Sequence, residues 1–254
     1  MRIIKSFLKL FLCVLMFTAC TSDGAMGPEG PSLSGDLVGF AYMYNLTGAR
    51  LSDNSGIIVT AYPDTLSSSK KKYIDTTNVD GRFQLPELST GTYTITFSKT
   101  GYGTRKVPGF QFIGGGQVSF GSTNISALPT FNVTNLAATA TATTITFSGT
   151  LTGTLPASYR YVRLFIGTST SISSLPKDYV VTTTVSTSST YTTFSSSINI
   201  SSLASYGILT GQQLYIVAYA ESYNSTSYLD LATGRYFYSS INPVPSNVVS
   251  VVAP

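Results

Sequence analysis

The side chains able to carry chemistry in this chain are few. There are two cysteines and eleven carboxylates, and no histidine to activate either. Imidazole is the commonest metal ligand and the usual general base near neutral pH, so Ser-His-Asp and Cys-His nucleophile activation are excluded. Cys13 and Cys20 alone are too few soft ligands for an ordinary zinc site. A glycosidase with paired carboxylates needs no histidine and survives this test. The acidic residues are scattered, however, and most stand beside turn formers, as in Asp53-Asn54-Ser55-Gly56 and Asp80-Gly81. No acidic loop offers calcium a run of oxygen ligands. The chain therefore reads as a protein that is not an enzyme, with no metal and no cofactor.

Cys20 stands apart because of what precedes it. Arg2, Lys5 and Lys9 form a basic start, and Leu10 to Ala19 is an apolar run. That run is shorter than the ~20 residues of a spanning helix and has the form of a secretory signal peptide. Phe17-Thr18-Ala19-Cys20 resembles the lipobox of bacterial lipoproteins, with Phe17 where Leu is usual. The resemblance implies removal of residues 1–19 and lipidation of Cys20 by a diacylglyceryl thioether, usually with an N-acyl chain. One acyl chain holds a protein marginally, whereas two or more hold it firmly. The membrane is then the first partner, reached through the N-terminal lipid. Thr21 follows Cys20, where Asp favours inner-membrane retention in enteric lipoproteins, so the expected place is the outer membrane of a bacterial envelope. Removing residues 1–19 also takes away three basic residues. What remains is 12 basic against 11 acidic residues, +1 in place of +4, and no nucleic-acid partner is expected. Neither cysteine is left for a disulfide, so packing alone must hold the fold.

The elements that must position any site are strands. Charged residues are 10% of the chain, while Thr, Ser, Val, Tyr and Phe abound. Residues 20–32 are the lipidated cysteine and a flexible Gly/Pro linker, a spacer rather than a structural unit. Residues 33–121 form a first module with strands at Leu37–Tyr44, Gly56–Tyr62, Lys71–Thr76, Arg82–Leu85, Thr92–Ser98, Arg105–Phe112 and Gln117–Phe120. The clearest is Thr92–Ser98, where Tyr93, Ile95 and Phe97 alternate with Thr and Ser, the period of a strand with one wet face. Phe83, Tyr93, Ile95 and Phe97 are the core candidates.

Three features of this module occur at family spacing: Thr77-Asn78-Val79-Asp80-Gly81-Arg82-Phe83, then Gly91-Thr92-Tyr93-Thr94-Ile95-Thr96-Phe97, then Gly101-Tyr102. In that order they resemble the carboxypeptidase regulatory-like family, a transthyretin-like β-sandwich. The resemblance implies a fold and no reaction, since these positions are turn and core residues in that family.

Ser122–Thr130 is the expected boundary, and residues 128–254 form the second module. Its strands are expected at Phe131–Ala138, Thr143–Leu151, Tyr159–Gly167, Tyr179–Val185, Tyr191–Ile200, Gln213–Ser222, Arg235–Tyr238 and Val248–Val252. Many short strands with frequent turns indicate an immunoglobulin-like or fibronectin-like sandwich. The chain is thus all-β, two sandwiches in tandem after the leader and linker.

Tyrosines crowd the second module. Tyr215 and Tyr219 lie on the face of their strand opposite Leu214 and Ile216, and Tyr223 follows. Such a face either stacks on a ligand or packs a second layer, and packing is the expected outcome. If ligand-facing, Tyr215, Tyr219 and Tyr223 are the candidate contacts for a glycan or protein partner. Lys70-Lys71-Lys72 reads as a solvated loop. Asp64-Thr65-Leu66 and Asp75-Thr76-Thr77 have the form of bacterial O-glycosylation acceptors, and Asn45, Asn132 and Asn224 begin N-x-Ser/Thr triplets. The function expected is non-catalytic binding or scaffolding at the envelope. The alternatives are a carbohydrate-binding accessory protein of a nutrient-capture system and, less favoured, a two-carboxylate glycoside hydrolase.

Overall fold

A computed structural model describes residues 33–64 and 71–254. The expected leader 1–19, Cys20 and the expected linker to 32 lie outside the described residues, as do Thr65 and Leu66 of the first candidate acceptor motif and Lys70 of the basic run. From residue 34 onward the alternating sequence builds an all-β structure of two sandwiches in tandem.

The first sandwich contains β1 (Ser34–Tyr44), β2 (Ile58–Pro63), β3 (Tyr73–Thr76), β4 (Arg82–Ser89), β5 (Gly91–Ser98), β6 (Arg105–Phe112) and β7 (Gly116–Ser126). One sheet has the order β4-β1-β7 and the other β3-β2-β5-β6. Only β1 and β7 run parallel; the remaining pairs are antiparallel. The alternation of β5 resolves as expected, with Tyr93, Ile95 and Phe97 buried and the Thr residues between them half-buried on the far face. Phe83 of β4 meets Phe97 edge-on across the core, with ring centroids 5.6 Å apart. Strand β7 runs six residues past the expected end at Phe120, through the first half of the segment read as a boundary. It does so because β1 offers a continuous parallel partner from Gly39–Gly121 to Tyr44–Ser126, reached after a register shift at Val38. Backbone groups that can pair within a sheet are not left unpaired by a break in side-chain pattern.

The second sandwich contains β8 (Phe131–Ala140), β9 (Thr144–Gly153), β10 (Arg160–Gly167), β11 (Val181–Thr187), β12 (Thr193–Asn199), the short helix α1 (Ile200–Ala204), β13 (Gln213–Glu221), β14 (Ser227–Asp230), β15 (Arg235–Tyr238) and β16 (Val249–Val252). The sheets β12-β9-β8 and β11-β10-β13-β16 face one another, and β14 pairs β15 as a separate hairpin. Between the sheets, Phe147 and Leu151 pack with Val162, Leu164, Leu214 and Ile216.

Strands β10 and β13 are buried on both faces. Phe165, Val217 and Tyr219, of opposite parity to the inner core, form a second cluster with Tyr179 and Ile241, against which Tyr215 and Tyr238 pack. The Phe165 ring meets Tyr179, Tyr219 and Tyr238 at 5.1, 5.5 and 5.9 Å. Within this layer Arg163 and Glu221 form an ion pair at 2.8 Å, with Glu221 almost fully buried. Among the described residues no helix is long and apolar enough to cross a membrane.

Candidate functional site

The three tyrosines singled out from the sequence have different fates. Tyr219 is 6% exposed and belongs to the second-layer cluster, so most of its ring is packed and only its remaining edge reaches the cleft described below. Tyr215 is half-buried against the same cluster. Tyr223 is exposed, but its ring lies edge-on to Tyr161 at 5.3 Å and covers Gly48. Gly48 has φ +84°, and a Cβ there would fall 2.2 Å from the Tyr223 ring, so both conformation and space require glycine.

Tyr223 opens a segment that fastens the sandwiches together. Ser126 N–H donates to Thr226 Oγ1 at 3.1 Å, and Thr226 N–H donates to Ser240 Oγ at 2.6 Å. Ser239 Oγ donates to the Thr104 carbonyl at 2.6 Å, and Arg105 Nη1 to the Ser227 carbonyl at 2.5 Å. Ser222 Oγ donates to the Ala127 carbonyl. The connecting chain is held as well, since Asn242 Nδ2 donates to the carbonyls of Pro129 and Phe131, both at 3.0 Å. Gly103 sits so close that a Cβ would meet the Ser239 backbone at 2.8 Å. The triplet Asn224-Ser225-Thr226 is therefore part of the clasp, with Thr226 buried.

Beside this clasp runs a two-lobed cleft between β6, the β14–β15 hairpin and residues 174–177. One lobe, about 470 Å³, is walled by Tyr102, Tyr219, Tyr228, Phe237 and Tyr238. The other, about 400 Å³, lies between Leu175, Lys177, Asp230 and the same hairpin. Lys106, Tyr228 and Phe237 line both. Tyr228 and Phe237 are direct cross-strand partners, so their rings share one face of the hairpin and stack at 5.1 Å and 27°. Lys106 Nζ stands 5.2 Å from the centre of the Tyr228 ring. Arg235 holds the far wall by donating to the carbonyls of Pro176 and Tyr179. Burial pushes the Tyr228 phenol up from its ordinary value, and the Asp230 carboxylate adds to the shift. Burial also raises Tyr238, with Arg163 pulling the other way. Both phenols thus stay neutral at physiological pH and act as hydrogen-bonding groups.

A shallower hollow of about 450 Å³ lies beside β11 and β12. Ser148, Thr150, Ser195 and Tyr191 line it, and no charged side chain does.

Several of the described carboxylates are held in hydrogen bonds within turns or between strands. Asp53 accepts from Ser55 N–H, which lowers its pKa, and Asp64 accepts from Thr94 Oγ1. Asp75 accepts from Gln84 N–H, Asp178 from Ser173, and Asp230 from Thr233 N–H and Oγ1. The Asp53, Asp178 and Asp230 bonds lie within turns, whereas those of Asp64 and Asp75 tie neighbouring strands together.

No protein-family model matches the chain, and no curated protein does. Among solved structures the chain is similar to a protein of Bacteroides uniformis provisionally called carbohydrate binding, at 13% identity and a TM-score of 0.32, over 87% of this chain and 99% of that one. It is also similar to a DUF3823 family protein of Parabacteroides merdae, at 15% identity and a TM-score of 0.27, over 85% and 100%. A third similarity is to the FN1-FN3 domains of chicken CNTN1, at 15% identity and a TM-score of 0.32, over 88% and 68%.

Of the cleft residues, the sequence singles out Tyr219 as a candidate contact and counts Tyr228 and Tyr238 among the crowded tyrosines, but it singles out neither Lys106 nor Phe237. A signal for the hairpin was present. Asp230 and Gly234 bracket a short loop in which Gly234 has φ +67° and donates to the Asp230 carbonyl. With Arg235–Tyr238 read as a strand, that loop places its partner at Ser227–Asp230.

Proposed function

We propose that this chain is a non-catalytic binding or scaffolding module, carried at the bacterial envelope on a lipid attached to Cys20. The observation that carries the binding reading is the junction cleft. Ligand sites favour domain interfaces, apolar walls and a few convergent polar groups, and this cleft combines all three in a size range suited to small ligands. The clasp of buried hydrogen bonds supports it, because a site shared by two domains needs them held in one relation. The basic start, apolar run and lipobox-like Phe17-Thr18-Ala19-Cys20 support the anchor, and Thr21 supports the outer membrane. The Asp-Gly-x-Phe and Gly-x-Tyr spacing supports a carboxypeptidase regulatory-like first sandwich. The engagement of Asp53, Asp64, Asp75, Asp178 and Asp230 in hydrogen bonds of turns and strands favours binding over two-carboxylate hydrolysis.

A second reading, a carbohydrate-binding accessory protein, is favoured by the stacked Tyr228–Phe237 pair, since aromatic faces take up the apolar faces of sugar rings. Two experiments test the proposal. Mass spectrometry of the native polypeptide should find residue 20 as a lipidated N-terminus; a free thiol or a retained leader overturns the anchor. Capture of envelope components by the full chain should be lost on Tyr228→Ala; capture indifferent to that change overturns the cleft as the binding site.

A further inference from the structure

We propose that the junction cleft binds an acidic oligosaccharide, one with carboxylate-bearing sugar units, laid across both lobes over Tyr228 and Phe237. This rests on the reading of the cleft as the binding site.

The argument begins with charge. Among the described residues the only ion pair is Arg163–Glu221. Lys106 and Lys177, one shared by the two lobes and one in the second, therefore have no carboxylate partner. The one carboxylate on the lining, Asp230, is turned to Thr233. An anion is the ligand that such a lining stabilises.

The second part is shape. Lys106 Nζ stands 5.2 Å from the Tyr228 ring centre, so an anion paired with Lys106 lies beside the aromatic platform, not away from it. A uronate supplies both parts in one unit: a ring with an apolar face to stack, and a carboxylate on its rim. Because Lys177 lies in the other lobe, a ligand crossing the shared Tyr228–Phe237 pair meets two cations in sequence, as a repeating acidic chain requires.

The third part is hydrogen bonding. Thr104, Ser174 and Tyr228 bring hydroxyls to the cleft, and none of the three hydroxyls has a hydrogen-bond partner among the described residues. Hydroxyls that both donate and accept match a ligand rich in hydroxyls. An acidic peptide would satisfy the lysines but brings no ring to lie on the Tyr228–Phe237 pair.

The test uses the full chain with immobilised polygalacturonate and alginate as acidic probes, dextran and xyloglucan as neutral ones, and poly-glutamate as a peptide probe. The expected result is binding to an acidic glycan only, weakening steeply with salt. Lys106→Gln and Tyr228→Leu should each weaken it about tenfold or more, with thermal unfolding of both variants unchanged enough to show a folded chain. Should Tyr228→Leu prove unstable, Lys177→Gln on the exposed rim tests the cleft through its second cation, with the same weakening expected. Equal binding of neutral glycans that is lost in Tyr228→Leu overturns the acidic ligand and leaves the cleft intact. Preference for poly-glutamate overturns the saccharide. Binding unchanged in Lys106→Gln and Tyr228→Leu together overturns the cleft itself.

Discussion

The first sandwich leaves the outer face of its strongest strand wet, whereas the second covers the outer face of β10 and β13 with a further layer. On β5 the outward positions are Thr92, Thr94 and Thr96, each partly exposed. On β10 and β13 the corresponding positions hold Phe165, Val217 and Tyr219, all buried. The same architecture thus serves two ends. The bare sheet spends one core on stability alone. The covered sheet uses its second layer to seat the β14–β15 hairpin, and that hairpin is a wall of the cleft. Its stacked pair is therefore supported by packing from beneath, which suits a binding platform better than a free loop.

The largest effect that tests this contrast comes from core truncation on the covered face. Phe165→Ala should cost about 3–5 kcal/mol, as a buried aromatic does, while Thr96→Ala on the bare face should stay within about 0.5 kcal/mol. Urea unfolding monitored by circular dichroism measures both, and near-equal values would erase the distinction. The ion pair of the covered layer should behave as a buried one. Glu221→Gln alone should lose about 3–5 kcal/mol, whereas the double change Arg163→Met with Glu221→Leu should be close to neutral. A double-mutant cycle separates these outcomes. At the junction, Gly103→Ala drives a Cβ to 2.8 Å from the Ser239 backbone and should cost about 1–3 kcal/mol. Calorimetry should then show the two sandwiches unfolding apart instead of together.

The smallest effect is on alkaline stability. Burial pushes Tyr179, in the covered layer, up to about 12. The unfolded chain loses that proton near pH 10 and the folded chain holds it longer, so the folded state binds more protons in this window. Stability should therefore fall as pH rises from about 10 toward 12. Tyrosinate absorbance in an alkaline titration should rise for Tyr179 together with unfolding. Tyr179→Phe removes that component, though it also deletes the bond from Tyr179 Oη to the Tyr236 carbonyl.

Much of this contrast was readable beforehand, and the unread part has an identifiable cause. Alternation placed Tyr93, Ile95 and Phe97 inward, and the same rule placed Val162, Leu164 and Leu214 in the second core. It works because a strand's period of two is a local property of the backbone. The covered face departed from the rule through apolar runs such as Leu164-Phe165-Ile166 and Ile216-Val217-Ala218, which signal burial on both sides. The packing of Tyr219 follows from those runs.

The sequence by itself determined the strand pattern, the inner faces and the chemistry that is excluded, since each depends on residue type and near neighbours. Only the tertiary structure decided that Lys106 meets Tyr228 and that Thr226 closes a clasp on Ser126. Those residues are far apart along the chain, and no local period links them. Their meeting depends on how one sandwich docks on the next, a balance of buried hydrogen bonds and close backbone approach that exists only when the whole chain has folded.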